Sequence, residues 1–143
     1  MRKNIHEYIG QLEDRFGSTF FEDGDALFER GGESIILATR EVEEFGLAVE
    51  DYALGIPFGK KLKDGRVLLD HEMATLRGHR ATKNVWQVDD ASLALLLDAK
   101  DCDCPTDLHG HTLLMYKGFC IGQGLAKEGR MKNNLPRWMV RFG

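Results

Sequence analysis

The sequence predicts an α+β protein in which a small N-terminal α/β module precedes a mixed β-barrel with short helices. The chain has 143 residues, which suits one or two small domains, and its apolar and charged fractions of 43% and 29% are typical of globular proteins. The clearest helical pattern occurs at the start, whereas most of the remaining chain consists of short strand-like runs separated by glycines. Runs of strands that do not alternate regularly with helices favour the α+β class.

Residues 1–54 are expected to form the N-terminal module. Apolar side chains recur there at helical spacing. They are Ile5, Tyr8, Ile9, Leu12 and Phe16. We therefore predict a helix over residues 5–16 that ends at Gly17. Apolar runs on both sides of a Gly-Gly pair predict two antiparallel strands joined by a turn. The acidic segment 41–45, next along the chain, is compatible with either a helical turn or a loop.

Residues 55–143 are expected to form the second domain. A Lys-Asp-Gly turn before Arg66 predicts a hairpin, and Asp70 and Asp89 occupy the N-cap positions of two short helices. Four further strands are predicted, at 85–88, 112–116, 119–126 and 138–142. The last of them is expected to come after a turn at 132–136.

The net charge of −4 hides an uneven distribution along the chain. Residues 1–54 hold 5 Lys and Arg against 13 Asp and Glu, whereas residues 55–143 hold 14 against 10. Residues 117–143 contain six basic side chains and a single acid, Glu128. Such a local excess of positive charge in a glycine-rich stretch is typical of surfaces that bind phosphates, and it predicts RNA binding.

Other features of the sequence exclude whole classes of protein. No run approaches the ~18 apolar residues that would span a bilayer, and the first residues lack the apolar core of a signal peptide. The three cysteines do not form the even framework of a secreted domain, so reduced thiols are expected. These observations predict a cytoplasmic protein with no membrane partner.

Residues 116–138, YKGFCIGQGLAKEGRMKNNLPRW, resemble the end of bacterial ribosomal RNA cytosine methyltransferases of the Sun family, in their RsmF-type branch. GIPFGKKLKDGRVLLDHEMATLRG and WQVDDASLALLL are similar to earlier parts of the same terminal domain, and RFGSTFFEDGDALFERGGESIILAT is similar to the small module before it. Those enzymes finish with a PUA-like RNA-binding domain. The resemblance therefore implies a PUA-like fold for residues 55–143 and a pre-PUA module over residues 1–54.

The resemblance does not extend to the methyltransferase itself. This sequence contains no glycine-rich cofactor loop after a strand, and Cys104-Pro105 reverses the Pro-Cys order of the nucleophile motif. Residues 137–141 also lack the glycine usual in the family's closing run. We therefore expect a non-catalytic RNA-binding protein without a cofactor. Its expected partner is ribosomal or transfer RNA, with a separate RNA-modifying enzyme as a further candidate and no DNA.

The predicted RNA surface combines the basic tail of the chain with a second basic group near the first short helix of the domain. Lys127 and the Lys132-Asn133 pair also match the family's closing motif. The tail residues of this surface are Lys127, Arg130, Lys132, Asn133, Arg137 and Arg141. The assisting residues are Arg77, Arg80 and Lys83. The alternative is a protein-interaction module, in which the acidic front half binds a basic partner and no RNA is bound.

Two further sets of residues have competing interpretations. Four side chains are acceptable zinc ligands, namely Cys102, Cys104, His109 and His111. Their Cys-x-Cys spacing differs from that of structural zinc sites, so no metal is predicted. Trp86 and Trp138 could stack on bases, but both lie in apolar strand patterns, so we place them in the core. No catalytic residue is predicted.

Overall fold

The computed structural model describes residues 5–41 and 55–141 and divides the chain into two compact units, Met1–Met73 and Ala74–Gly143. The described residues form helices and two sheets, so the predicted α+β class is confirmed. Most of the acidic segment 41–45 lies outside the described residues. No helix in the described part of the chain has the length and apolar character needed to cross a membrane.

The first described element of the first unit is helix α1, Ile5–Phe16, at the predicted bounds. The side chains of Tyr8 and Leu12 are buried, as their spacing predicted. The helix ends at Gly17, whose φ of 75° suits glycine and whose N–H donates to the Glu13 carbonyl at 2.8 Å. This left-handed residue satisfies one of the carbonyls that a helix end leaves without a partner.

Four antiparallel strands form the sheet of the first unit, in the order β1-β2-β3-β4. They are β1 (Asp25–Arg30), β2 (Ser34–Thr39), β3 (Ile56–Lys61) and β4 (Val67–Leu69). Both predicted hairpins of this region are present. The sheet continues across the predicted domain boundary after residue 54, because β3 pairs with β2. The compact units of the structure separate later, after Met73. The pairing of β3 with β2 joins residues on both sides of position 54, and no local sequence signal indicates it.

The side-chain amide of Gln11 connects α1 to the hairpin formed by β3 and β4. Its Nε2 donates to the Gly65 carbonyl at 2.9 Å, and its Oε1 accepts from the Val67 N–H at 2.8 Å. One side chain thus satisfies a donor and an acceptor of the hairpin backbone, much as a neighbouring strand would. The contact fixes the position of the helix along the sheet edge.

Two helices of the chain's second half occupy the predicted positions. Helix α2 (His71–Arg77) contains the division between the units and continues as a 3-10 turn over Gly78–Arg80. Helix α3 (Asp90–Leu97) starts after Asp89, whose carboxylate accepts a hydrogen bond from the Ser92 N–H at 2.7 Å. This bond holds the pKa of Asp89 below its usual value. The predicted N-cap at Asp89 is therefore confirmed.

Five strands form the sheet of the second unit, in the order β5-β7-β8-β9-β6. They are β5 (Val85–Gln87), β6 (Cys102–Asp103), β7 (Gly110–Tyr116), β8 (Phe119–Lys127) and β9 (Arg130–Asn133). Strand β5 runs parallel to β7, and the other neighbours are antiparallel. The sheet is therefore mixed.

The end of the chain differs from the prediction in two places. Strand β9 begins at Arg130 and includes Lys132 and Asn133, although a turn was predicted at 132–136. A 3-10 turn covers Arg137–Met139, where a strand was predicted. Strand β9 has four residues, of which only Met131 is apolar, so it shows almost no alternation of apolar and polar side chains. Its pairing with β8 therefore cannot be recognised from the sequence.

The core of the second unit lies between α3 and one face of its sheet. Leu96 of α3 packs with Leu114 of β7, Ala126 of β8 and Met131 of β9, all of them buried. Gly124 makes room for this packing, because a Cβ there would overlap the Met131 Sδ atom. We refer to this side of the sheet as the core face.

We predict that Gln11→Ala lowers the free energy of unfolding by about 1–3 kcal/mol, because it leaves two half-buried backbone groups without a partner. Glu13→Ala, an exposed change in the same helix, serves as the control and should stay within ~0.5 kcal/mol of the unchanged protein. Urea unfolding followed by circular dichroism measures both. Equal effects of the two changes would show that the Gln11 amide contributes nothing to stability.

Candidate nucleic-acid interface

Strands β8 and β9 form a hairpin that carries four of the predicted RNA-binding residues, three cations and Asn133. The strands are joined by the two-residue turn Glu128-Gly129, with φ values of 52° and 80°. Positive φ at both positions is the type I′ geometry that matches the twist of a hairpin. The Gly129 carbonyl accepts from the Cys104 N–H at 2.9 Å, which ties the turn to the chain beyond β6. The tip of the hairpin is thus held in place.

Strand alternation directs the three cations to the same side of the sheet. Lys127 is the register partner of Arg130, and Lys132 is the partner of Leu125. All four of these residues are exposed, whereas Ala126 between them is buried on the core face. We refer to the side that carries Lys127, Arg130 and Lys132 as the cationic face. The register of β8 and β9 thus places the three positive charges on one side of the sheet.

The three cations differ in how far their charge is compensated. Arg130 Nη1 donates to Asp103 Oδ1 at 2.8 Å, and this hydrogen bond raises the pKa of the guanidinium. Lys127 and Lys132 form no ion pair with any residue that the structure describes. These two ammonium groups are therefore the cations of the hairpin that can neutralise a phosphate without first breaking an ion pair.

Asn133, also predicted to contact RNA, has its side-chain amide engaged inside the protein. Its Nδ2 donates to the carbonyls of Leu96 at 2.6 Å and Lys100 at 3.1 Å, at the end of α3. Its Oδ1 accepts from the Leu135 N–H at 3.0 Å. Three of its hydrogen bonds thus join β9, the end of α3 and the chain immediately after β9. We assign Asn133 a structural role.

Residues 134–141, which we call the tail segment, carry Arg137 and Arg141 on the surface. The segment is attached to α3, because the Arg141 N–H donates to the Leu97 carbonyl at 2.6 Å. Met139 and Val140 pack against the core of the second unit. Both arginines are therefore carried by a backbone that is held against the fold.

Trp138 does not lie in the core, and its predicted burial is wrong. It belongs to the 3-10 turn of the tail segment, and 76% of its surface is exposed. Trp86, by contrast, packs against the core as predicted. The expectation for Trp138 depended on a strand at 138–142, and the alternation of a strand does not apply to a 3-10 turn.

The second basic group lies on the same side of the sheet as the cationic face, at the other end of β8. A Cβ at Gly78 would meet Cys120 Sγ at 2.7 Å and Leu113 Cδ1 at 3.8 Å. Leu113 pairs with Gln123, which lies on the same face as Lys127, and Met115 shares the face of Leu113. A register shift between Leu114 and Met115 brings Cys120 opposite Met115, so Cys120 lies on that face too. The turn over Gly78–Arg80, which directly follows Arg77, therefore covers this face about 20 Å along β8 from Lys127.

The assisting residues differ in their surroundings. Arg77 is half-buried and Arg80 is exposed, and each makes a polar or ionic contact within the protein. Lys83 is exposed just before β5. The structure thus groups the nine predicted residues into a hairpin set, a tail set and a set near the turn over Gly78–Arg80, with Asn133 directed inward.

The four possible zinc ligands do not form a metal centre. No group of three or more His, Cys, Asp or Glu side chains suited to a metal occurs in residues 5–41 and 55–141. Cys102 is buried in the core of the second unit, and burial raises the pKa of its thiol. Burial likewise raises the pKa of Cys104.

The comparisons with known proteins give one informative match. The chain matches no known family model. It is 32% identical over 89 residues to the ribosomal RNA small subunit methyltransferase F of Aeromonas salmonicida (strain A449). The match covers 62% of this chain and 18% of that protein, so the chain spans less than a fifth of the relative's length. This similarity agrees with the resemblance to RsmF-type methyltransferases found in the motifs.

We predict that Asn133→Ala and Lys132→Ala, adjacent changes in β9, have different effects on stability. Asn133→Ala should lower the free energy of unfolding by about 1–3 kcal/mol, because it leaves carbonyls at the end of α3 and the Leu135 N–H without their partner. Lys132→Ala removes an exposed side chain and should change it by less than ~0.5 kcal/mol. Thermal unfolding checks both. Equal stability of the two variants would remove the structural role assigned to Asn133.

Proposed function

We propose that this chain binds ribosomal RNA through the cationic face and the tail segment of its second unit. The observation that carries the proposal is the presence of Lys127, Arg130 and Lys132 on one exposed face of a fixed hairpin. Basic side chains neutralise the phosphates of RNA and so release the counterions that the phosphates hold. Because these side chains are carried by a rigid hairpin, the backbone need not become ordered first. The similarity to a protein named for ribosomal RNA favours RNA as the polyanion.

The proposed surface also includes cations outside the hairpin. The tail segment adds Arg137 and Arg141. The end of α2 and the turn that follows it add Arg77 and Arg80 near the start of β8. Lys83 adds a further exposed cation near β5. The hairpin cations and the turn over Gly78–Arg80 lie about 20 Å apart on one side of the sheet, a span that suits several phosphates of one RNA rather than a single small anion.

The proposal includes a PUA-like fold for residues 55–143, which contain the whole sheet of the second unit, and a pre-PUA module over residues 1–54. The mixed sheet with short helices supports it, as does the resemblance of residues 116–138 to the end of the RsmF-type enzymes. In this role the chain supplies affinity and placement and performs no chemistry. The methyl transfer would belong to a separate RNA-modifying enzyme or to another part of the same protein.

We predict that Lys132→Glu weakens binding to structured ribosomal RNA and lowers the slope of log K against log salt by roughly 1, because one phosphate contact is lost. Filter binding over a range of salt concentrations measures the slope. Lys60→Glu, an identical charge change at an exposed site of the first unit, is the control and should leave the slope almost unchanged. If both variants lose affinity equally, net charge rather than the cationic face explains binding. Absence of binding at low salt would contradict the RNA proposal and favour a protein partner.

We predict that Asp103→Asn strengthens RNA binding by up to about 5-fold, because an exposed ion pair is worth at most about 1 kcal/mol and its loss frees Arg130 for a phosphate. Asp107→Asn changes the charge of a nearby exposed residue without touching Arg130, so it should have a smaller effect. Fluorescence anisotropy with labelled RNA compares the two. A gain of the same size in both variants would assign the effect to net charge.

A further inference from the structure

Trp138 exposes 76% of its surface, although a tryptophan has more apolar area to bury than any other residue. Few large hydrophobic side chains in the described part of the chain are as exposed, and only Phe119, at 75%, is similar. An exposed large aromatic side chain is informative where it stands beside groups that suit a ligand, since such rings recur in binding surfaces. Trp138 lies between Arg137 and Arg141, inside the proposed RNA surface.

The backbone on both sides of Trp138 is fixed. The Met139 N–H donates to the Pro136 carbonyl at 3.0 Å, which closes the 3-10 turn, and the Arg141 N–H donates to Leu97 of α3. Met139 and Val140 are packed against the core of the second unit. The fold thus anchors the residues after Trp138 while its indole remains at the surface, so little backbone conformational freedom would be lost on binding.

The basic side chains beside Trp138 favour a nucleic acid over a protein as its partner. An exposed tryptophan suits either a protein pocket or an unpaired base. The tail segment itself carries two basic side chains, Arg137 and Arg141, and no acid. Stacking on an aromatic ring beside cations is the way in which proteins commonly hold single-stranded nucleic acid, because the ring takes a base and the cations take the flanking phosphates.

We infer that Trp138 stacks on an unpaired base of the bound RNA, so that the surface selects a single-stranded segment or loop over a continuous duplex. The inference rests on the proposed function and deepens it, since phosphate contacts alone do not distinguish paired from unpaired bases in this way. Every base has a π-face, so the stacking tolerates different sequences. The ligand class is a single-stranded ribonucleotide segment.

Phe119 provides a matched control, since its ring is equally exposed but has different surroundings. It lies at the start of β8, next to the turn that contains Lys117. The Lys117 ammonium lies 5.2 Å from the centroid of the Tyr116 ring, and the Tyr116 hydroxyl donates to Asp90 at 2.6 Å. Phe119 pairs with Tyr116, so its ring lies on the opposite side of the sheet from Cys120 and the turn over Gly78–Arg80. The cation beside Tyr116 is already engaged and an acid is close by, so this ring is not expected to hold RNA.

Direct evidence of stacking comes from the fluorescence of Trp138. The chain has two tryptophans, so Trp86→Phe leaves Trp138 as the sole indole. Titration of this full-length variant with single-stranded RNA of about 12 nucleotides should quench its emission, whereas a duplex of the same length should quench it far less. Binding without quenching would overturn the stacking role while leaving the proposed function intact. Absence of any binding, measured separately by filter retention, would remove the proposed function.

The affinities of substituted proteins provide a second, independent test. Trp138→Ala should weaken binding of the single-stranded probe by about 5-fold to about 150-fold, the range found when a stacking ring is removed. Trp138→Phe should retain most of the affinity, and Trp138→Leu should behave like Trp138→Ala, because leucine keeps apolar area but has no ring. Phe119→Ala should leave the affinity unchanged. Full affinity in Trp138→Leu, or an equal loss in Phe119→Ala, would overturn the inference.

Discussion

The side-chain amide of Asn133 is the interaction on which the candidate surface depends. A helix leaves its last carbonyls without partners, and Asn133 satisfies one of them, that of Leu96, together with the carbonyl of Lys100 in the turn beyond α3. Its Oδ1 accepts from Leu135, the residue from which the chain turns away from the sheet. Since one amide links strand, helix end and tail segment, the hairpin cations and the residues near Trp138 are carried by a single connected backbone.

Successive side chains of β8 and β9 point to opposite faces of the sheet, so one set packs in the core and the other carries the positive charge. On the core face, Met131 fills the space that Gly124 leaves open, which brings the two strands into the hydrophobic core. On the cationic face, Lys127 and Lys132 project from the same strands. A slip of one residue in register would exchange the two sets and bury the lysines, so the packing of Met131 also fixes the direction of the charge.

Local signals in the sequence predicted much of the fold, and long-range pairing accounts for the elements that were missed. Helix 5–16 and the N-cap at Asp89 depend on spacing and capping within a few residues, and both are confirmed. Strand β9 and the continuation of the first sheet across residue 54 depend on partners elsewhere in the chain. The charge of the candidate surface could likewise be read from composition. The inward direction of Asn133 and the exposure of Trp138 could not, because they depend on where the end of α3 lies.

Phosphate contacts and stacking would contribute different properties to the proposed surface. Contacts from Lys127 and Lys132 give affinity that falls with salt and is nearly independent of sequence. Arg130 contributes less affinity, since its ion pair with Asp103 must break before the guanidinium can contact a phosphate. A ring such as that of Trp138 adds a contact that a base can make only when it is not covered by its neighbours. Charge alone would therefore hold any RNA, whereas charge together with an exposed ring on a fixed turn distinguishes an open loop from a helix.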